Sequence, residues 1–194
     1  MHNLAGGLAL AYHGCDAVVG EALLQGEPFK PSINTWDWLG HGIYFWESNP
    51  KRGFDFAAEL AASRLKHAKV IRPFVVGAVV NLGLCLDITT KSGIEIVQAS
   101  HRDLLRISLA ANLELPSNNA SLLRRDLDCY VIEHVLRSRD AFGAPPADTV
   151  RGVFIEGDEI YPGAGFREKT HIQISVRNPS CIKGVFRVPK EQYE

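Results

Sequence analysis

Three polar residues stand where the hydropathy pattern puts the ends of strands: His13 in LALAYHG, Tyr44 in GHGIYFWE and Gln173 in THIQISVRN. Loops rich in glycine and tryptophan separate them, and this spacing brings three strand ends to one cleft. Other residues invite other chemistry. Cys15 follows His13 by two positions, so on an extended chain both share a side and a thiol nucleophile is one reading. Glu156, Asp158 and Glu159 imitate a glycosidase or metal site, but beside a glycine turn they read as solvated charges. Each of the three polar residues also has a purely structural reading. His13 caps a turn, Tyr44 fills core among Ile43, Phe45 and Trp46, and Gln173 is the polar position of an alternating strand.

The elements that must position these residues follow from the local pattern. Leu8 to Gly14 reads as a strand. Asp16 is a helix N-cap, Val18, Val19, Leu23 and Leu24 make an apolar stripe, and Gly26 stops the helix. Residues 27–42 form a loop punctuated by Pro and Gly that holds Trp36 and Trp38, and GIYFWE follows as a short strand. Asn49-Pro50 reads as a turn, with a helix from about Phe54 to His67. VIRPFVVGAVV and NLGLCLDIT are strands joined by a bend. Residues 93–140 turn helical: ASHRDLLRISLAANLEL is one helix, and residues 118–140, with Leu123, Leu127, Val131 and Val135 at helical spacing, a second. VRGVFIEG, THIQISVRN and CIKGVFRV restore the β pattern. In THIQISVRN the alternation gives one buried face (Ile172, Ile174, Val176) and one polar face (His171, Gln173, Ser175). The order predicts an α+β fold with a mostly antiparallel sheet, one domain over 1–194, and a helical insertion at about 93–145.

The ordered segments resemble the ADP-ribosyltransferase superfamily of the diphtheria-toxin and poly-ADP-ribose-polymerase type. Tyr12-His13-Gly14-Cys15 looks like its first motif. Gly42-Ile43-Tyr44-Phe45, leading to the small-residue run FAAELAAS, looks like its second. Gln173-Ile174-Ser175-Val176 with Ile182-Lys183 is similar to the third motif of a bacterial branch. The resemblance runs from residue 12 to 183 and leaves the helical insertion unaccounted for. It implies a split antiparallel sheet and NAD as substrate. His13 would hydrogen-bond a ribose hydroxyl, the Gly14 main chain would grip the nicotinamide amide, and Tyr44 would stack on the nicotinamide ring. Gly14 and Gly42 would allow the ligand close to the backbone. The family norm at the third position is glutamate. Gln173 makes the same hydrogen bond but is neither base nor charge. Glu168, in the preceding loop, and His171, on the same face, are the alternatives. The expected activity is single transfer of ADP-ribose to a macromolecular acceptor, protein or nucleic acid, with NAD hydrolysis or a non-catalytic NAD-binding module as alternatives. Members of this kind look like toxins or phage-defence effectors, which implies an antitoxin protein as a partner. An RNA 2′-phosphotransferase shares the broad fold, but the motif segments here lack the basic residues it would place around the cleft.

Bulk properties narrow the classes. The 194 residues suffice for one substantial core, and the net charge of −1 creates no global field toward nucleic acid or anionic membrane. Arg124, Arg125, Arg137 and Arg139 read as solvated helix faces. Cys15, Cys85, Cys129 and Cys181 form no C-x-x-C and read as reduced core thiols, without ligand spacing for zinc. There is no G-x-G-x-x-G, Walker A or G-x-S-x-G segment. The N-terminus has no basic region before its apolar run, and no apolar run approaches ~18 residues, so the expectation is a cytoplasmic protein without a membrane span.

Overall fold

The strands carrying two of the motifs, Leu8–Asp16 and Ile43–Glu47, lie side by side in the middle of one sheet. The computed structural model describes residues 2–3, 7–63, 70–119 and 124–193. In chain order its elements are β1 (His2–Asn3), β2 (Leu8–Asp16), α1 (Ala17–Leu24), β3 (Ile43–Glu47), α2 (Pro50–Ala62), β4 (Pro73–Asn81), β5 (Leu84–Asp87), α3 (Lys91–Ala111), α4 (Asp126–Ala141), β6 (Thr149–Phe154), β7 (His171–Val176) and β8 (Ile182–Arg187). Among the described residues the strands form one eight-stranded sheet, ordered β1-β5-β6-β7-β3-β2-β4-β8. The β5–β6 pair is parallel and the other pairs are antiparallel. The architecture is α+β, as the element order predicts.

Register assigns the faces. Tyr12 pairs with Trp46, Tyr44 with Ser175 and Gly152 with Gln173, so these residues share one face with Gly14 and His171. Helix α2 covers the β2 end of that face. Helix α4 covers the β6 end with Ile132, Val135 and Leu136, packed on Leu39, Leu86 and Val150. The opposite face carries Ala11, Phe45, Ala78, Val80, Ile174 and Val176, and Phe29 closes it. Each large side chain taken fully out of water here contributes about 1.5–3 kcal/mol.

Several boundaries differ from the sequence reading. Helix α2 begins at Pro50, where no N–H is needed, and Asn49 caps it by accepting the Arg52 N–H at 3.0 Å. Asn49-Pro50 is therefore a helix start and not a separate turn. The helix ends at Ala62, where Ser63 is extended, short of the expected end at His67, a residue outside the described ones. Helix α3 starts earlier than expected, at Lys91, capped by the Thr90 hydroxyl on the Gly93 N–H, and closes at Asn112 in the left-handed conformation (φ 51°). Helix α4 starts at Asp126, later than expected, and Leu123 lies outside the described residues. The polar face of β7 is not solvated: His171, Gln173 and Ser175 are buried beneath the loop 32–42 and the α2 side. Among the described residues no helix is long and apolar enough to cross a membrane.

Candidate functional site

The β2–β3 ladder ends early. Ala11 pairs with Glu47 and Tyr12 with Trp46, whereas β2 pairs with β4 along its full length. The Ser48 N–H donates to the Leu10 carbonyl at 2.8 Å, so the even-numbered backbone groups of β2 point toward β3. By the antiparallel alternation, the Gly14 N–H and C=O point the same way, past the end of the ladder. Into this split comes the His13 ring. Its Nδ1 lies 2.8 Å from the Tyr44 carbonyl oxygen. A carbonyl only accepts, so Nδ1 carries the proton and Nε2 keeps the lone pair. Burial pulls the His13 pKa below its ordinary value, which favours this neutral form.

The three predicted residues are thus on contiguous strands, but not on one face. The His13 ring lies against Phe29 and Phe45 at centroid distances of 5.3 and 5.6 Å, on the α1 side. Tyr44 and Gln173 project from the other side. Tyr44 is half-buried, its hydroxyl donating to the Gly40 carbonyl at 2.8 Å and accepting the Leu39 N–H at 3.0 Å. Burial holds its phenol well above its ordinary pKa. Gln173 is 9 % exposed, and its Oε1 accepts the Trp38 indole N–H at 3.3 Å. Glu168 is exposed, and among the described residues no hydrogen bond or ion pair joins its carboxylate to His13, Tyr44 or Gln173.

The glycines are explained by protein, not by open space. A Cβ on Gly14 would lie 2.0 Å from the Gly53 carbonyl oxygen of α2, and one on Gly42 would lie 2.3 Å from Ser175 Oγ. Both positions need glycine because another segment already occupies the volume.

A group the sequence reading did not assemble lies beside Gln173. Trp46 and His171 are 3 % and 6 % exposed, their rings 6.3 Å apart. His171 Nδ1 sits 2.5 Å from the Lys169 carbonyl oxygen, which fixes its proton there, and the ring stacks on Phe154 at 4.9 Å. Its Nε2 and the Trp46 Nε1–H have no hydrogen-bond partner among the described residues. One is an acceptor and the other a donor, both buried, which is a costly arrangement unless a ligand group or water serves them. Burial, followed by the positive field of Arg52, lowers the His171 pKa. Arg52 itself lies between Glu59 at 3.6 Å and Glu156 at 3.5 Å. The sequence signal for His171 was its shared face with Gln173. Trp46 and Arg52 gave none, because a tryptophan in an apolar run and an arginine in a helix are ordinary.

The tryptophan loop is held from outside the sheet. Arg124 and Arg125 lie over Trp36 and Trp38, each 4.6 Å from the ring centroid, so neither is only a solvated helix charge. All four cysteines are free and buried. Burial pushes the Cys15 thiol up to about 12, which removes it as a nucleophile. No cluster of metal-ligating side chains occurs among the described residues. No family model, curated protein or solved structure matches the chain.

Proposed function

We propose that the protein is a mono-ADP-ribosyltransferase that cleaves NAD at the nicotinamide–ribose bond and passes ADP-ribose to a macromolecule. The observation that carries this reading is the split between β2 and β3, with the Gly14 main chain pointing into it and His13 fixed as a neutral Nδ1–H tautomer at its edge. A primary amide such as that of nicotinamide matches an adjacent backbone N–H and C=O. The His13 lone pair suits a ribose hydroxyl. Tyr44 supplies an aromatic face whose orientation the Gly40 and Leu39 bonds lock. On the third strand, Gln173 and His171 project from the Tyr44 side of the sheet, and this reading assigns these neutral hydrogen-bonding groups to the ribose. Neither is charged, so the site stabilises an oxocarbenium-like transition state by hydrogen bonding and not by an opposed carboxylate. This favours single transfer over chain extension.

A second reading follows from one contact. The Gln173 amide oxygen is already taken by Trp38, which fits a module that binds NAD or ADP-ribose without cleaving it. One assay separates the two: adenylate-labelled NAD with the purified protein and separate protein, RNA and DNA fractions. Label in one fraction, lost in Tyr44→Ala and His171→Ala, establishes the transferase and its acceptor class. Free nicotinamide without labelled acceptor indicates hydrolysis. Saturable NAD binding with no nicotinamide released supports the module, and no binding removes both readings.

A further inference from the structure

The helical insertion leaves a cavity of about 620 Å³ between α3, the start of α4 and strand β6. That volume lies within the range of small-molecule sites. Its floor is aliphatic, made by Leu39, Ile88, Val131 and Ile132, with the backbone of Gly152 beneath. A Cβ on Gly152 would come 3.0 Å from Leu39, so the floor is flush. One rim carries basic side chains. His101 and Arg102 stand side by side on α3, with no ion pair among the described residues. Arg125, the N-cap residue of α4, lines the same cavity while stacked on Trp38. The acid on this rim, Asp128, accepts a hydrogen bond from Asn118 at 2.9 Å and lies 3.7 Å from Arg125, so its charge is largely engaged. An apolar floor beneath Arg102, whose guanidinium has no acid partner among the described residues, selects an apolar body with one anionic head.

We propose that this cavity binds a small amphiphilic anion, its apolar part on the Leu39–Ile132 floor and its phosphate or carboxylate at Arg102 and His101. The site is distinct from the β2–β3 split, which opens between other strands, and it does not depend on NAD chemistry. Three lining residues connect it to the motif strands: Trp38 through its bond to Gln173, Leu39 through its N–H on the Tyr44 hydroxyl, and Gly152 through its pairing with Gln173.

Adenosine 5′-monophosphate and decanoate probe the two sources of this chemistry, with adenosine and decanol as neutral counterparts, by titration calorimetry on the full chain. At least one of the anions is expected to bind saturably at one site, about tenfold or more tighter than its neutral counterpart. The nucleotide alone identifies a nucleotide site, and decanoate alone an acyl-anion site. Arg102→Gln, an exposed change that leaves folding intact, weakens binding about tenfold. Val97→Trp, which fills the cavity from α3, abolishes it while the Tm confirms a folded protein. His13→Gln disturbs the split and leaves this binding unchanged, so failure of the NAD reading is scored separately. Absence of binding by both anions up to about 5 mM, equal binding of neutral counterparts, or indifference to Arg102→Gln and Val97→Trp would overturn the proposal.

Discussion

His13 replaces a backbone hydrogen bond with a side-chain one. Where β3 parts from β2, the Tyr44 carbonyl is satisfied by Nδ1–H of the imidazole, and the ring is buried against Phe29 and Phe45. His171 repeats the device at the start of β7, with Nδ1–H on the Lys169 carbonyl. Burial lowers both pKa values, so each ring resists protonation in the folded chain more than in the unfolded one. The sign follows from proton counting. Above the unfolded value of ~6.5 neither state takes up protons at these rings. Below it the unfolded chain binds them first, and stability declines until the folded pKa is passed, where the loss becomes constant. Scanning calorimetry should therefore give a level Tm from about pH 8 to 7 and a falling one from about pH 6.5 to 5. His171→Gln should reduce that fall. A flat profile through the acid range would contradict the burial argument.

At the scale of elements, Gly14 and α2 specify each other. The Gly53 carbonyl occupies the space where a Gly14 side chain would begin, and a main-chain oxygen cannot rotate away. Gly14→Ala should destabilise the protein by about 1–3 kcal/mol in urea unfolding, from overpacking alone. If the glycine served only ligand access, stability would hold and NAD binding alone would fall. The sequence made β2, α1 and β3 legible through alternation and the Asp16 cap, although β2 runs on through Gly14 to Asp16 and Val18 and Val19 of the α1 stripe are exposed. Asp16 does cap α1, accepting the Val18 N–H at 2.9 Å. The start of α2 is not legible, because Asn-Pro serves both turns and helix N-termini and only the bond from the Arg52 N–H decides between them. The buried polar face of β7 was illegible for a different reason. Alternation reports which side chains differ in polarity, not whether the loop 32–42 covers the polar ones. Thr90→Ala should cost about 1 kcal/mol by removing the α3 cap, and the resulting fraying should appear as faster amide exchange confined to the first turn.

At the scale of the molecule, helices α3 and α4 and the strands β2, β3 and β7 are joined through the tryptophan loop. Glu133 of α4 is 9 % exposed and accepts both the His41 N–H at 2.8 Å and the Arg177 guanidinium at 2.7 Å. Arg177 also donates to the His41 carbonyl at 2.7 Å. Thr35 reaches Asp126, and the Arg124 and Arg125 stacks add two more anchors. The same loop fixes the Tyr44 hydroxyl through Gly40 and Leu39, and Gln173 through Trp38. Alternation marks each of the three segments as a strand, but carries no signal of which strands are neighbours or which face each residue takes. Nor does it show that a helix some ninety residues onward holds the loop over Tyr44 and Gln173, since such contacts leave no local pattern. Glu133→Ala leaves Arg177 and the His41 N–H without their carboxylate, at a cost of about 2–3 kcal/mol. If α4 holds the loop, the loss extends beyond stability: amide exchange over residues 32–42 should quicken, and fluorescence should report a more solvated Trp38. Glu133→Gln keeps one acceptor for the His41 N–H and should restore part of the protection. Destabilisation with loop exchange unchanged would mean that α4 supports the sheet alone, and that Tyr44 and Gln173 are positioned by β3 and β7 without it.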